Sequence, residues 1–419
     1  MINLAITPAL LTEIRSKFAH VDACPFQGPR VFFENAGGAL TLKSTVETSA
    51  RFAAIPDNQG RDNPASHALV DIIKEAKLAA MDWFNAPSGQ VFVGESGTEL
   101  LFRLIRTAMS RTEAGVVLGS SVEHPASVSP RARWAVAFGH TNVVVAHDDD
   151  LGLVTPEAYA AAVTPDTRVA TILHTSPVTG MGMDLGGIVR AIRAVAPECF
   201  IIVDGIQHAS HGLIDLAAVD VDGYVVSPYK VFSRHGYGVA WVSDRLTALG
   251  PEQLLNGPEA AWEFGTRDTG SYATFHDVVD YFDWLGAQVG DTKTRRGRIE
   301  DAGAAIKAHE KALTDAMLHG TGNLKGLADY DSVHVVGGVD NPAREGLVCF
   351  WADAVSAPDI VGALNNEGVR THVRKADHYS GNILTPLGQD AAVRVSMCHY
   401  NSIDEVARFL SVMAQVLEP

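Results

Sequence analysis

The feature that most constrains this chain is an alternation. Residues 91–93, 115–119, 141–146, 168–174, 200–204 and 223–227 are short apolar runs of strand length. Residues 99–110, 126–138, 156–163 and 185–195, lying between them, have helical spacing. Repeated βα units imply an α/β fold built on a largely parallel sheet. In such sheets ligands gather beyond the carboxyl ends of the strands.

The flanks are simpler. A helix is expected over residues 9–20, a short strand at 31–33, a turn at 34–38, and a helix over 66–84 that gathers Ala68, Ile72, Ala76, Ala79 and Ala80 on one side. After about residue 285 the texture changes. A charged helix over 291–318 precedes strands at 333–336, 346–352, 369–373 and 392–397 and helices at 358–366 and 402–416. This reads as a smaller α+β domain. The expected division is a large domain over 25–285, with 1–24 as an N-terminal arm that joins a small C-terminal domain over 286–419.

Composition narrows the partners. Apolar residues make up 47% and charged residues 20% of 419, which supports a large core and excludes disorder as the main state. Lys plus Arg number 33 against 49 Asp plus Glu, a net charge of −16. A nucleic-acid or acidic-membrane partner is therefore not expected, though a local pocket for one phosphate is compatible. No apolar run approaches the ~18 residues of a membrane span. Cys24, Cys199, Cys349 and Cys398 are far apart and form no C-x-x-C pair, which fits a reducing compartment rather than a disulfide framework or zinc cluster. The first residues lack a basic segment and carry Pro8, so no signal peptide is expected and the expected address is cytoplasmic. Asp148-Asp149-Asp150 reads as a solvated turn.

Several short motifs have plain readings. Gly180, Gly182 and Gly186 follow a strand and open a helix, but the third glycine is one position late for a dinucleotide turn, so an ordinary loop is expected. Gly94-Glu95-Ser96-Gly97-Thr98 departs from a nucleophile elbow at Thr98. Asp204, His208 and His211 have metal-ligand character, and a metal-dependent hydrolase built on them is the alternative from a different class. Gly205 and Gly212 argue against the regular helix such a site would use.

The strongest chemical signal is Val203-Asp204-Gly205-Ile206-Gln207, followed by Gly223 to Ser227-Pro228-Tyr229-Lys230. Each places polar groups at the end of an apolar strand, so an Asp and a Lys can meet in one crevice. Lys230 alone reads as a surface lysine; with Asp204 it suits a cofactor that needs a Schiff-base amine and a partner for a pyridinium proton, as pyridoxal 5′-phosphate does.

With these residues the chain resembles the class V, fold-type I pyridoxal-phosphate enzymes, in their cysteine desulfurase-like branch. The likeness is clear at residues 31–40, 92–104, 122–128, 203–207, 224–240, 263–270 and 368–407. It implies a large domain with a mainly parallel seven-stranded sheet, a smaller α+β C-terminal domain, and a homodimer with shared active sites. Ser96-Gly97-Thr98-Glu99 is similar to the family's phosphate turn, which implies cofactor contacts at Gly97 and Thr98. Small residues at a helix N-terminus suit an anion. By the same likeness His124 stacks on the cofactor ring, Asp204 pairs with the pyridine nitrogen, and Gln207 bonds the phenolic oxygen. Ser227 binds phosphate and Lys230 carries the Schiff base. Glu263-Phe264-Gly265-Thr266 resembles the segment that reaches the neighbouring subunit's phosphate, through Thr266. Asn35, in Asn35-Ala36-Gly37-Gly38, resembles a turn near the substrate, and Arg394 the arginine that holds the substrate carboxylate.

Three departures bear on function. Tyr229 stands where desulfurases usually have His, and can still donate to phosphate. Ser176-Pro177-Val178-Thr179-Gly180 lacks an amide donor found in many relatives. The stretch from Lys375 to Gly381 offers His378 and Tyr379 near the substrate but no cysteine to store sulfur. The expected function is β-elimination or C–S lysis on a small amino acid without a persulfide cysteine. A class V aminotransferase and an amino-acid epimerase are the alternatives within the family, and a cofactor-free binding protein that kept the fold is a third possibility.

Overall fold

The computed structural model describes residues 6–258, 260–266 and 268–418. Among them, seven strands form one sheet in the order Gln90–Gly94, Gly238–Val242, Gly223–Val226, Phe200–Asp204, Thr167–Leu173, Val116–Ser120, Thr141–Val145. The last five pair in parallel. Gly238–Val242 alone runs against its neighbours, antiparallel to both Gly223–Val226 and Gln90–Gly94. The sequence pattern anticipates the other six strands but not this one.

Every residue of Phe200–Asp204 is buried, as expected of a central strand with helices on both faces. The helices start on identifiable caps. Ser96 Oγ accepts from Glu99 N at 3.1 Å to open Gly97–Ser110, and Asp184 accepts from Gly187 N at 2.8 Å to open Leu185–Val195. That second cap turns a carboxylate into the position a dinucleotide phosphate would need, so the Gly180–Gly186 turn is an ordinary connection. Gly180 itself has φ +78°, and a Cβ there would lie 2.6 Å from the Leu347 carbonyl.

Two long helices among the described residues escaped the sequence pattern, besides the one-turn helices Asp244–Thr247 and Gly381–Leu384. Thr269–Val289 buries side chains around most of its circumference, which blurs the 3.6-residue period. Lys43–Ala53 turns Thr45, Thr48 and Phe52 inward, so its buried face is mostly hydroxyl-bearing.

A second, antiparallel sheet has the order Val333–Val335, Leu347–Ala352, Ala391–Ser396, His372–Lys375. Helices Ala357–Asn366 and Ile403–Leu417 pack on it around Phe350, Leu364 and Phe409. Residues 31–34, ahead of the large sheet in the chain, stay with this unit. Val31–Phe32 pairs in parallel with Val369–Arg370, and Glu34 bridges to Ser396. The carboxyl ends of the parallel strands therefore face residues 34–38 and the strand Ala391–Ser396.

Candidate active site

Lys230 lies on the short helical turn Pro228–Lys230, just past the strand Gly223–Val226. Asp204 ends the neighbouring strand, and their parallel register brings the two strand ends side by side. Both line a cavity with Thr98, His124, Gln207, Ser227 and Tyr229; Leu173, Pro177 and Ile206 supply its apolar wall. Seven residues expected from sequence thus meet in one place. Gly97 stands beside it, where a Cβ would come 2.4 Å from Ser227 Oγ and 2.7 Å from Ile206 Cδ1.

Burial sets the electrostatics. It pushes the Lys230 amine down to about 7, helped by Arg394 and Arg374 and opposed by Asp204. It pushes the Asp204 carboxyl up to about 6, against the Ile206 N–H and Lys230. Asp204 Oδ1 accepts from Ile206 N at 3.1 Å, and Ser127 Oγ donates to Oδ2 at 3.5 Å. Lys230 Nζ donates to Gln207 Oε1 at 3.2 Å.

His124 is the N-cap of helix Pro125–Phe138, where Pro125 stands at the first helical position. Ala126 N donates to its Nδ1 at 3.1 Å, which leaves the ring proton on Nε2. Burial, then Lys230, Arg374 and His378, lower its basicity to about 4, so the ring is neutral across the physiological range. Behind it Glu123 accepts from Ser120 N at 2.7 Å and Thr171 Oγ1 at 2.8 Å, which fixes the loop.

The expected substrate residues divide. Arg394 is buried, donates through Nη1 to Pro177 O at 3.0 Å, and has an unpartnered Nε; burial and Arg374 lower its guanidinium to about 10. Tyr379 approaches the cavity from the second sheet, its ring 5.5 Å from that of His124, with His378 at 4.1 Å on Tyr379. Asn35 is committed elsewhere: its Nδ2 donates to Ser396 O at 2.7 Å and its Oδ1 accepts from Tyr400 OH. It braces the joint between the two sheets. Thr266 is exposed on the loop before helix Thr269–Val289, whose Glu263 and Gly265 line a different cleft. It does not join the cavity of its own chain.

Sequence reading missed Arg374. Its charge acts on Lys230, His124 and Arg394, and its Nε donates to Ser380 Oγ at 2.7 Å. The available signal was the alternation of basic side chains at Arg370, His372 and Arg374.

The metal alternative is corrected. Asp204, His208 and His211 do not converge: Asp204 lines the cavity, His208 Nδ1 donates to Glu345 Oε1 at 2.8 Å, and His211 Nδ1 to Glu310 Oε2 at 2.8 Å. A tight 3-10 turn over His208–Ser210, in place of an α-helix, turns the two histidines to different partners.

The donor set fits pyridoxal 5′-phosphate. A buried amine of lowered basicity suits its aldehyde, a buried carboxyl its ring nitrogen, and a flat neutral imidazole its ring face. A helix N-terminus pressed against Ser227, with Thr98 beside it, suits its phosphate.

Comparison with known proteins agrees. A sequence profile for Aminotransferase class-V matches residues 31–289 and 298–409. A probable cysteine desulfurase of Pseudomonas putida is 30% identical over 82% of this chain and 81% of its own length. One of Xylella fastidiosa is 26% identical over 93% and 91%. The apo structure of a cysteine desulfurase from Thermococcus onnurineus superimposes with a TM-score of 0.81 at 18% identity, covering 100% of both chains, and so shares the fold. The chain belongs to the class-V aminotransferase family and is a pyridoxal 5′-phosphate-dependent enzyme.

Proposed function

We propose that the enzyme cleaves a substituent from the β-carbon of a small amino acid, a C–S bond in the favoured case, and releases the sulfur product without storing it on the protein. The observation that carries this is the loop at 375–381. It brings His378 and Tyr379 toward the cavity, and no cysteine is among the described residues that line it. The sulfur substrate is suggested by the relatives' description as probable cysteine desulfurases.

Bound pyridoxal 5′-phosphate supplies an electron sink for the bond broken at the substrate Cα. Lys230 anchors it, and its amine, near neutral in basicity, suits the taking and returning of the Cα proton. Asp204 would accept a charge-assisted hydrogen bond from the ring nitrogen. His124 would cover one ring face. Thr98, Ser227 and Tyr229 would hold the phosphate, joined in a homodimer by Thr266 of the partner subunit. Arg394 would grip the substrate carboxylate, with Arg374 adding positive charge beside it.

The four thiols fit this reading. Burial raises Cys199 to about 12 and Cys349 to about 11, and pushes Cys398 well above the ordinary thiol range. A protonated buried thiol is a poor sulfur acceptor. Cys24 is partly exposed and lowered by the N–H groups of Phe26 and Gln27, but it sits on the hairpin Ala23–Pro29, outside the cavity lining.

The test is to replace all four cysteines by Ser or Ala, confirm folding by melting, and assay β-substituted amino acids. Most of the activity should remain. If one cysteine proves indispensable and carries substrate sulfur after a turnover, the enzyme is a rewired desulfurase. If no β-substituted amino acid reacts while an amino donor converts the cofactor to its aminated form, the aminotransferase reading replaces this one.

A further inference from the structure

Behind the cavity a single line of hydrogen bonds runs into the core. Lys230 Nζ donates to Gln207 Oε1 at 3.2 Å. Gln207 Nε2 lies 3.0 Å from His211 Nε2. His211 Nδ1 lies 2.8 Å from Glu310 Oε2. Every donor points the same way. With its proton on Nδ1, facing the carboxylate, His211 must accept at Nε2, and only the amide NH2 can serve it. The carbonyl of Gln207 is thereby left facing Lys230.

We propose that His211 and Glu310 are positioning residues that decide which end of the Gln207 amide faces the Lys230 cavity. The alternative arrangement is equally complete. If His211 takes a second proton on Nε2, it donates to Gln207 Oε1. The amide then turns its NH2 inward, where it can donate to an anionic oxygen. Glu310 supports both arrangements, accepting from Nδ1 in each. Loading of pyridoxal 5′-phosphate, whose phenolic oxygen is such an anion, is coupled to uptake of one proton from solvent by His211.

The surroundings permit this. His211 and Glu310 are both buried. Burial opposes a second proton on His211; Glu310 and Glu345 favour it and outweigh burial, while Lys230 opposes it. His399 is the other histidine close enough to interact with it, and its own ring is kept neutral by burial. The Cys398 Sγ, within 4.8 Å of the His211 and Glu310 ligating atoms, is a neutral thiol.

The inference rests on Lys230 as the cofactor anchor, and the test separates the two. The full chain, with histidine ring nitrogens labelled, is compared by NMR without and with added pyridoxal 5′-phosphate. The His211 signals are identified by their loss in His211→Gln. Before loading, His211 should carry one proton, on Nδ1; after loading, both ring nitrogens should be protonated. In Glu310→Gln the second proton should not appear, and affinity for the cofactor should fall about tenfold, the scale of one charge-assisted hydrogen bond. A singly protonated His211 in the loaded wild-type chain overturns the inference, whether or not the variant folds. A chain whose absorbance shows no covalent cofactor contradicts the anchor reading instead.

Discussion

The Tyr379 ring lies 5.5 Å from the His124 ring, tilted by 36°. His124 belongs to the large sheet's edge of the cavity, and Tyr379 to a loop of the second sheet. The same loop is tied down by Asn382, whose Nδ2 donates to Ser121 O at 2.6 Å. The loop of the second unit thus packs against the His124 side of the cavity. Tyr379→Ala should therefore raise KM for the amino acid several-fold while leaving the cofactor absorbance unchanged. An altered cofactor spectrum with an unchanged KM would place Tyr379 on the cofactor instead.

Lys230 makes the cofactor-free protein's stability depend on pH. Its amine falls from the ordinary 10.5 to about 7 in the fold. Between those values the unfolded chain binds more protons, so stability rises with pH across that window. Lys230→Met removes the cost. It should raise the melting temperature of the cofactor-free chain most at and below pH 7, with the gain shrinking as pH approaches 10.5, and it should abolish turnover. A melting difference independent of pH, or undiminished activity, contradicts the assignment.

Asp204→Asn keeps the shape of the side chain and removes its charge. Loss of a charge-assisted hydrogen bond should lower turnover roughly ten- to hundredfold. The exposed Lys375→Ala should change it little. Steady-state rates on the two variants, each saturated with cofactor, decide the matter. Equal losses would remove Asp204 from the ring nitrogen.

Much of this site was legible because its residues sit at strand ends, where an apolar run stops at a polar group. Asp204 follows the apolar run Phe200–Val203 and Lys230 stands four residues past the strand Gly223–Val226, and a parallel sheet brings such ends together. Arg374 was missed because it acts across the register from Ala392 and beside Arg394, a neighbour set only when the second sheet forms. Gly238–Val242 was missed because an antiparallel insertion has no helix before it to mark a βα unit. Asn35 is the reverse case: its motif is plain in the sequence, and the turn does lie against Arg394 and Tyr229, but its amide partners Ser396 and Tyr400, 360 residues away or more, are set only by the fold.

Thr266 is exposed and away from its own chain's cavity, which suits a contact with a second copy. The active species should sediment as a dimer, and Thr266→Val should weaken phosphate-dependent cofactor binding more than binding of unphosphorylated pyridoxal. A fully active monomer at nanomolar concentration contradicts the shared site.

The most direct measurement is the carbon product of a single turnover with cysteine, in the absence of added thiol. Elimination with water gives pyruvate, ammonia and hydrogen sulfide in equal amounts and leaves the protein mass unchanged. Persulfide transfer gives alanine and a protein heavier by one sulfur atom. Pyruvate with an unmodified chain is the expected result; alanine with sulfur on a cysteine contradicts it.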